Sequence, residues 1–238
     1  MKVRADLHIH SCLSPCGDLS MAPRDIARTA RERELDIVAL TDHNSALNCP
    51  AFRSACSEFG LYPLFGMEVT TAEELHCLAL FGRPEEALRF GDFIAKHYVG
   101  PGNIPEKFGD QVYLDEEENI LGEVEVNLTQ GACDLGLSEL GREIHNYGGL
   151  FIPAHIDRPS FSVASQLGFL PPDDYDALEV TQPQGLLDTG DFPRTAGSDA
   201  HYPEDIGKRC TELDVTELSF HAIGKALKKG KPLFSRKK

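Results

Sequence analysis

The chain has 238 residues, 41% of them hydrophobic and 26% charged, which is typical of a soluble globular protein with room for one large α/β domain. Its formal charge of −15 argues against broad contact with a nucleic-acid backbone, which requires a basic surface, so we expect no extended nucleic-acid-binding surface. No apolar run reaches the roughly 20 residues of a membrane span, and no signal-peptide core follows Met1, so we expect a cytoplasmic protein with no membrane partner. The seven cysteines contain no CxxC pair, so we expect no disulfide framework.

The first part of the chain alternates short apolar runs with helical segments. Strands are predicted at residues 3–10, 36–40 and 62–70, and helices at residues 23–34 and 49–59. Because strands that alternate with helices pair in parallel, this pattern predicts a mostly parallel sheet.

The alternation breaks after the third strand. Only a short turn separates it from the next apolar run, residues 76–81, whereas a parallel crossover needs about a dozen residues or more. We therefore predict an antiparallel hairpin in which Glu68 and His76 lie opposite each other. A helix is predicted to follow at residues 84–97.

Residues 99–134 are predicted to form an insertion. Within it, residues 111–114 and 120–123 flank an acidic segment, Asp115 to Asn119, in the pattern of an exposed β-hairpin. A run of like charges is typical of a solvated surface. A role as a lid over a site is left open.

The remainder of the chain returns to strand and helix alternation. It has a predicted helix at residues 137–147 and a C-terminal helix at residues 216–229, with strands between them at residues 150–155, 177–181 and 195–199. With the four earlier strands this makes seven core strands. No repeat or linker divides the sequence, so we predict a single α/β domain over residues 1–238.

Histidines and carboxylates gather where the predicted strands begin or end. Residues spaced i, i+2 on a strand share a face, so His8 can act with His10, and Asp199 with His201. Imidazole and carboxylate ligands together suit Mn, Fe or Zn. Three histidines on predicted helices are interpreted as surface or packing residues: His97, His145 and His221. The other six lie at strand edges and predict a metal cluster: His8, His10, His43, His76, His155 and His201.

The order of these groups resembles the PHP (polymerase and histidinol phosphatase) family of metal-dependent phosphoesterases. The resemblance rests on an HxH pair, a TDH motif, a lone Glu, two later His residues and a final DxH pair, and it covers essentially the whole chain. It implies a distorted (β/α)7 barrel with a hairpin insertion, and two or three divalent metal ions at one end. It further implies one ion held by His8, His10, Glu68 and Asp199, a second held by Asp18, His43 and His201, and a third held by Glu68, His76 and His155.

Alternative roles are open for several neighbouring residues. Many relatives place the ligand that corresponds to Asp18 closer to the HxH pair, and Cys12 or Cys16 is a less favoured alternative. Asp42 either orients a ligating histidine or caps a strand end. Arg158 either contacts substrate phosphate through its planar guanidinium or is a surface residue.

The resemblance implies that a metal-activated water hydrolyses a phosphate ester. The substrate classes it allows are nucleotides, short oligonucleotide ends and small phosphomonoesters. Two alternatives stay open. Amidohydrolase barrels also begin with HxH, but they need a carboxylated Lys, whereas no predicted strand holds a Lys after Lys2 and Glu68 takes the bridging place. A non-catalytic metal-binding interaction module is the second alternative, and the complete ligand set favours an enzyme over it. The oligomeric state is left open.

Overall fold

The computed structural model describes residues 1–183 and 187–234. Its strands, numbered in chain order from β1 to β13, are Lys2–Ile9, Ile37–Leu40, Tyr62–Thr70, His76–Phe81, Tyr98–Val99, Val112–Leu114, Ile120–Glu123, Ala132–Cys133, Leu150–Pro153, Leu178–Glu179, Arg194–Thr195, Arg209–Asp214 and Lys231–Phe234. The α-helices, α1 to α7, are Pro23–Glu32, Cys49–Phe59, Pro84–His97, Pro105–Phe108, Leu137–Asn146, Val163–Gln166 and Phe220–Leu227, and a 3-10 turn covers Pro203–Asp205.

A curled seven-stranded sheet organises the fold, with the order β13-β12-β1-β2-β3-β4-β9. Strands β1, β2 and β3 pair in parallel, as their alternation with helices predicts. Strand β4 is antiparallel to both β3 and β9, so the predicted hairpin is present. The expected register within it was wrong, because His76 lies opposite Thr70 and Glu68 lies opposite Leu78.

The last part of the sheet differs from the prediction. The runs predicted at residues 177–181 and 195–199 contain only the two-residue strands β10 and β11, which pair with each other. Strands β12 and β13 were not predicted, and they extend the sheet as an antiparallel pair beside β1. Strand β10 lies next to β9 and β11 lies next to β13, and beyond β11 a parallel bridge joins Ala200 to Ile9.

The two faces of the sheet carry separate apolar cores. On β3, for example, Phe65 and Met67 belong to an outer core with helices α1, α2, α3 and α5. Leu64 belongs to an inner core that α7 closes with Ile223 and Leu227. Because side chains alternate between faces along a strand, Glu68 shares the inner face with Leu64.

An irregularity in β1 decides where its histidines point. Asp6 pairs with Val38 and Ile9 pairs with Leu40, so three steps along β1 match two along β2. One extra residue in a strand switches the face of every side chain after it. Accordingly Leu7 lies in the inner core whereas Ile9 lies in the outer core.

Residues 99–134, the predicted insertion, are fastened to the rest of the fold. Strands β5 and β8 pair at its base, and β6 and β7 form an antiparallel hairpin within it. Buried Asn48 accepts a hydrogen bond from the Leu114 backbone at 2.8 Å and donates to the Val112 carbonyl at 3.2 Å. At the acidic tip, Glu116 pairs with Arg53. These contacts hold residues 99–134 against α2 and the loop before it, and they give the lid hypothesis no support.

The seven cysteines are all unpaired, in agreement with the absence of a disulfide framework. In the part of the chain that the structure describes, no helix combines the length and the apolar character needed to cross a membrane.

Candidate metal centre

The site lies on the inner face of the sheet, where β1 and β3 end and β4 begins. Glu68 is at its centre and is almost fully buried. Five imidazole rings surround its carboxylate. Oε1 lies 2.9 Å from His76 Nδ1, 2.9 Å from His155 Nε2 and 3.4 Å from His8 Nε2, and Oε2 lies 3.3 Å from His10 Nε2 and 3.2 Å from His43 Nδ1.

Asp199 supplies a second carboxylate to the same place. Its Oδ1 lies 3.4 Å from His8 Nε2 and 3.3 Å from His10 Nε2. Its other oxygen accepts a short hydrogen bond from the guanidinium of Arg158, and its backbone carbonyl lies 2.9 Å from Nδ1 of His201. Asp199 therefore connects the first motif of the sequence with the last.

Glu179 orients His8. Both carboxylate oxygens lie near His8 Nδ1, at 3.0 and 3.2 Å, and Oε1 also accepts from the backbone N–H of His155 at 3.1 Å. The ring of His8 therefore presents Nε2 to the cluster. Gly197 packs directly against His8 and Glu179, and no larger residue fits there, because a Cβ would lie 2.5 Å from His8 Cβ and 2.6 Å from Glu179 Oε2.

A second network orients His10. Its Nδ1 lies 3.0 Å from the hydroxyl oxygen of Ser14, which donates to Asp42 at 2.7 Å. Because a hydroxyl has one hydrogen, Ser14 accepts from His10 Nδ1, and Nε2 faces the carboxylates. Asp42 also accepts from the backbone and the hydroxyl of Ser11 at 2.6 and 2.7 Å. It therefore both positions a ligand candidate and fixes the loop after β1.

The buried carboxylates hold positive charge in the cluster. Burial acts to lower the pKa of His10, but hydrogen bonds to Asp199 and Glu68 raise it to about 9. Burial would raise the pKa of Glu68, yet the neighbouring imidazoles, His76 and His8 foremost, hold it well below its usual range. For His43 burial prevails and lowers the pKa well below its usual value. A divalent cation would supply this charge and displace the protons.

The residues present fit metal ions. Three sets of side chains bring their ligand atoms within 4.8 Å of one another: His8, His10, Glu68 and Asp199; His10, His43 and His201; and His43, Glu68 and His76. Nδ1 of His43 and of His155 is buried without a hydrogen-bond partner in the described residues. Buried polar atoms are normally paired. Nδ1 of His43 faces Glu68 Oε2 at 3.2 Å without forming a hydrogen bond and is therefore open for ligation, whereas His155 presents its other nitrogen, Nε2, to Glu68.

Four ligand candidates from the sequence lie outside these sets: His155, Asp18, Cys12 and Cys16. His155 nevertheless contacts Glu68, with its Nε2 2.9 Å from Oε1. The carboxylate of Asp18 is exposed and accepts from the Ser20 backbone at 2.8 Å; the backbone N–H of Asp18, rather than its side chain, meets the site by donating to the His201 carbonyl. Cys12 contacts the insertion through Val112, and Cys16 is exposed.

Two supporting residues were missed or left without a role. Glu179 lies in a run that is predicted as a strand, and a lone acid between apolar residues was its only signal. Ser14 is adjacent to the HxH loop, but a serine beside a proline indicates a turn as readily as a site. His97, His145 and His221 lie outside the three sets, as expected.

Sequence comparisons match this chain to known proteins. The sequence model of the PHP domain matches residues 6–128, just over half of the chain, and the PHP-associated model matches residues 185–232. The chain belongs to the PHP family. The predicted family is thus confirmed. An uncharacterized protein of Methanocaldococcus jannaschii is 33% identical over 132 residues, which cover 47% of this chain and 75% of that protein.

Several solved structures share the fold. The lesion-specific endonuclease Q of Pyrococcus furiosus superposes with a TM-score of 0.68 at 20% identity, over 98% of this chain and 58% of its own. A complex of endonuclease Q with a 27-mer duplex that carries an abasic lesion gives 0.68 at 19% identity, over 96% and 57%. A two-domain protein from Bacteroides vulgatus with a predicted PHP-like metal-dependent phosphoesterase gives 0.58 at 16% identity, over 99% and 65%. This chain therefore spans little more than half the length of endonuclease Q.

Proposed function

We propose that this protein hydrolyses phosphate esters with divalent metal ions held around Glu68. The observation that carries the proposal is the convergence of five imidazoles on one buried carboxylate, with Asp199 beside it. In the proposed assignment His8, His10, Glu68 and Asp199 hold one ion, His43 and His201 hold a second, and Glu68, His76 and His155 hold a third. The donor set suits Mn, Fe or Zn.

Bound there, such ions would supply charge to stabilise the phosphate oxygens and would lower the pKa of a water molecule. The chain supplies the remaining parts. Glu179 and Ser14 keep Nε2 of His8 and His10 turned toward the ligand position. Arg158 reaches the same position through its contact with Asp199, and its planar fork suits phosphate oxygens. We therefore assign Arg158 to the substrate phosphate.

Membership of the PHP family favours phosphoester chemistry over the amidohydrolase alternative. In addition, the lysines within the described strands, Lys2 and Lys231, are both exposed, and Glu68 would take the bridging place. The duplex in the endonuclease Q complex supports including nucleic-acid esters among the substrates. We retain a short oligonucleotide end or a small phosphorylated molecule as the proposed partner, because the net charge of −15 disfavours a long polyanion.

We also propose that the strands form the distorted (β/α)7 barrel of the family, with the hairpin of residues 99–134 as an insertion. Strands β10 and β11 form a separate two-stranded sheet that lies beside β9 and β13, and the Ile9–Ala200 bridge returns the segment after β11 to β1. This arrangement supports the proposal because it brings His8 and Asp199 together.

Metal loading and turnover of one variant pair test the function. We expect His155→Ala to lose about one ion per chain and most of the Mn²⁺-dependent hydrolysis of p-nitrophenyl phosphate or bis-p-nitrophenyl phosphate, with unchanged circular dichroism. His221→Ala, an exposed histidine, is the matched control. Unchanged metal content and rate in His155→Ala would contradict the assignment, and a metal-loaded wild type inert on both esters would favour the binding-module alternative.

A further inference from the structure

An exposed aromatic ring stands beside the metal centre. The ring of Phe161 stacks on the imidazole of His76, with centroids 4.9 Å apart and planes inclined by 18°. Its side chain is 41% exposed, and its φ of 51° lies in the left-handed region that non-glycine residues rarely adopt. An exposed apolar ring on a strained backbone has a stability cost, and such features concentrate at functional sites.

Backbone contacts fix the ring close to the proposed phosphate position. The Phe161 carbonyl accepts from the His76 backbone at 3.2 Å, and Ser162 Oγ donates to the carbonyl of Arg158 at 2.6 Å. The imidazole of His76 contacts both the Phe161 ring and, at 2.9 Å, the carboxylate of Glu68. A group that rests on Phe161 would thus adjoin a phosphate held by Arg158.

A cavity of about 280 Å³ opens beside this ring. Its other lining residues include Thr70, Thr129, Gln130 and Glu74, beside the small residues Gly131 and Ala132. The Thr70 hydroxyl accepts from Asn44 and the Thr129 hydroxyl donates to Asn127, so the groups free to bind a ligand are the exposed carboxylate of Glu74 and the exposed amide of Gln130. A flat heterocycle with polar edges matches the ring and these two groups, because its face can stack while its edges form hydrogen bonds.

We propose that Phe161 and this cavity form a nucleobase subsite, so that the substrate is a nucleotide or the unpaired end of a short oligonucleotide. The inference rests on the proposed function for the position of the phosphate. The alternative is a purely structural role, in which Phe161 only shields His76 and any apolar side chain would serve. The polar groups across the cavity favour a ligand subsite over that alternative.

Two ligands that differ only in the base test the subsite. We expect Mn²⁺-loaded protein to bind adenosine 5′-monophosphate more tightly than ribose 5-phosphate by a factor of about 10 to 100 in calorimetric titration, in line with the contribution of one stacked base. In Phe161→Leu, which retains an apolar cover for His76, this ratio should fall toward one, and in Phe161→Tyr it should persist. Phe169→Leu is the control, since this ring is also exposed but does not line the cavity.

The outcomes separate the two proposals. A base preference that survives Phe161→Leu, or a wild type with no base preference, would overturn the subsite even if both esters are hydrolysed. If Phe161→Leu weakened the binding of both ligands equally and also lost metal, Phe161 would only shield the metal centre, and the subsite would again be overturned. Base-dependent binding that Phe161→Leu abolishes, without turnover of any ester, would support the subsite and refute the proposed function.

Discussion

The ligand candidates on β1 and β3 sit on hydrogen-bonded strands, whereas His155 and Asp199 sit on loops in left-handed backbone, with φ of 28° and 54°. We call the strand residues the first half of the site and the loop residues the second half. The first half is held by buried hydrogen-bond networks through Ser14 and Asp42. The second half is held by the contacts of His155 with Glu179 and of Asp199 with His8. The contrast shows that strand geometry can place a ligand, while loop ligands depend on partners from distant parts of the chain.

The largest expected effect comes from the residue that both halves share. We expect Glu68→Gln to reduce metal content by at least one ion per chain and the hydrolysis rate by a factor on the order of 10³, since a bound metal contributes several kcal/mol to the transition state. Elemental analysis and initial rates measure both. Glu123→Gln on the exposed strand β7 is the control. Full metal content in the Glu68→Gln variant would show that the carboxylate is not a ligand.

Removing an orienting partner should have a smaller effect. Ser14→Ala and Glu179→Ala each remove the acceptor that fixes one ring of the HxH pair, and loss of such partners lowers metal affinity by about 10- to 100-fold. Competition with a chelator measures that affinity. Ser20→Ala, on an exposed serine of the same loop, should leave it unchanged. Equal affinities for Ser14→Ala and wild type would mean that strand geometry alone orients His10.

The insertion provides a prediction on stability. Asn48→Ala leaves the Leu114 N–H without its partner and the Val112 carbonyl with only the weak Cys12 thiol contact, and unpaired buried groups cost about 1–3 kcal/mol. We expect the free energy of unfolding, measured in urea, to fall by about 2 kcal/mol. Asn119→Ala at the exposed hairpin tip is the comparison, with an expected change under roughly 0.5 kcal/mol. Equal stability of the two variants would indicate that the insertion is held by its apolar contacts alone.

The smallest effect is expected at Asp18. Its carboxylate is exposed and bonded to the Ser20 backbone, so Asp18→Asn should keep its metal content and its rate within about twofold, as for most surface substitutions. The family resemblance, which implies Asp18 as a metal ligand, predicts instead that this variant loses metal and activity. A loss of one ion per chain would restore Asp18 to the ligand set, with Asp25→Asn on the first turn of α1 as the control.

The ends of several strands, and the histidines that lie at them, could be predicted because both are visible in the local pattern of apolar and polar residues. The bounds of α2, β3 and α3 match the expected ones, since apolar periodicity and prolines mark them. Strand β12 was missed although Cys210 and Leu213 are buried in it, because neighbouring strands, rather than its own sequence, make so polar a segment a strand. The role of Glu179 required knowing which imidazole lies 3.0 Å away from it across 171 residues of sequence.

By itself the sequence determined that imidazoles and carboxylates end several strands, that His8 and His10 share a face, and that the chain resembles the PHP family. Which face those rings occupy was decided by the extra residue in β1, which reverses the alternation between Leu7 and Ile9. The turn after Ser14 likewise directs the backbone of Asp18, and not its carboxylate, toward His201. The two-residue alternation of side chains along a strand is a local property, but the face to which a given side chain points depends on how the strand pairs with other strands and loops.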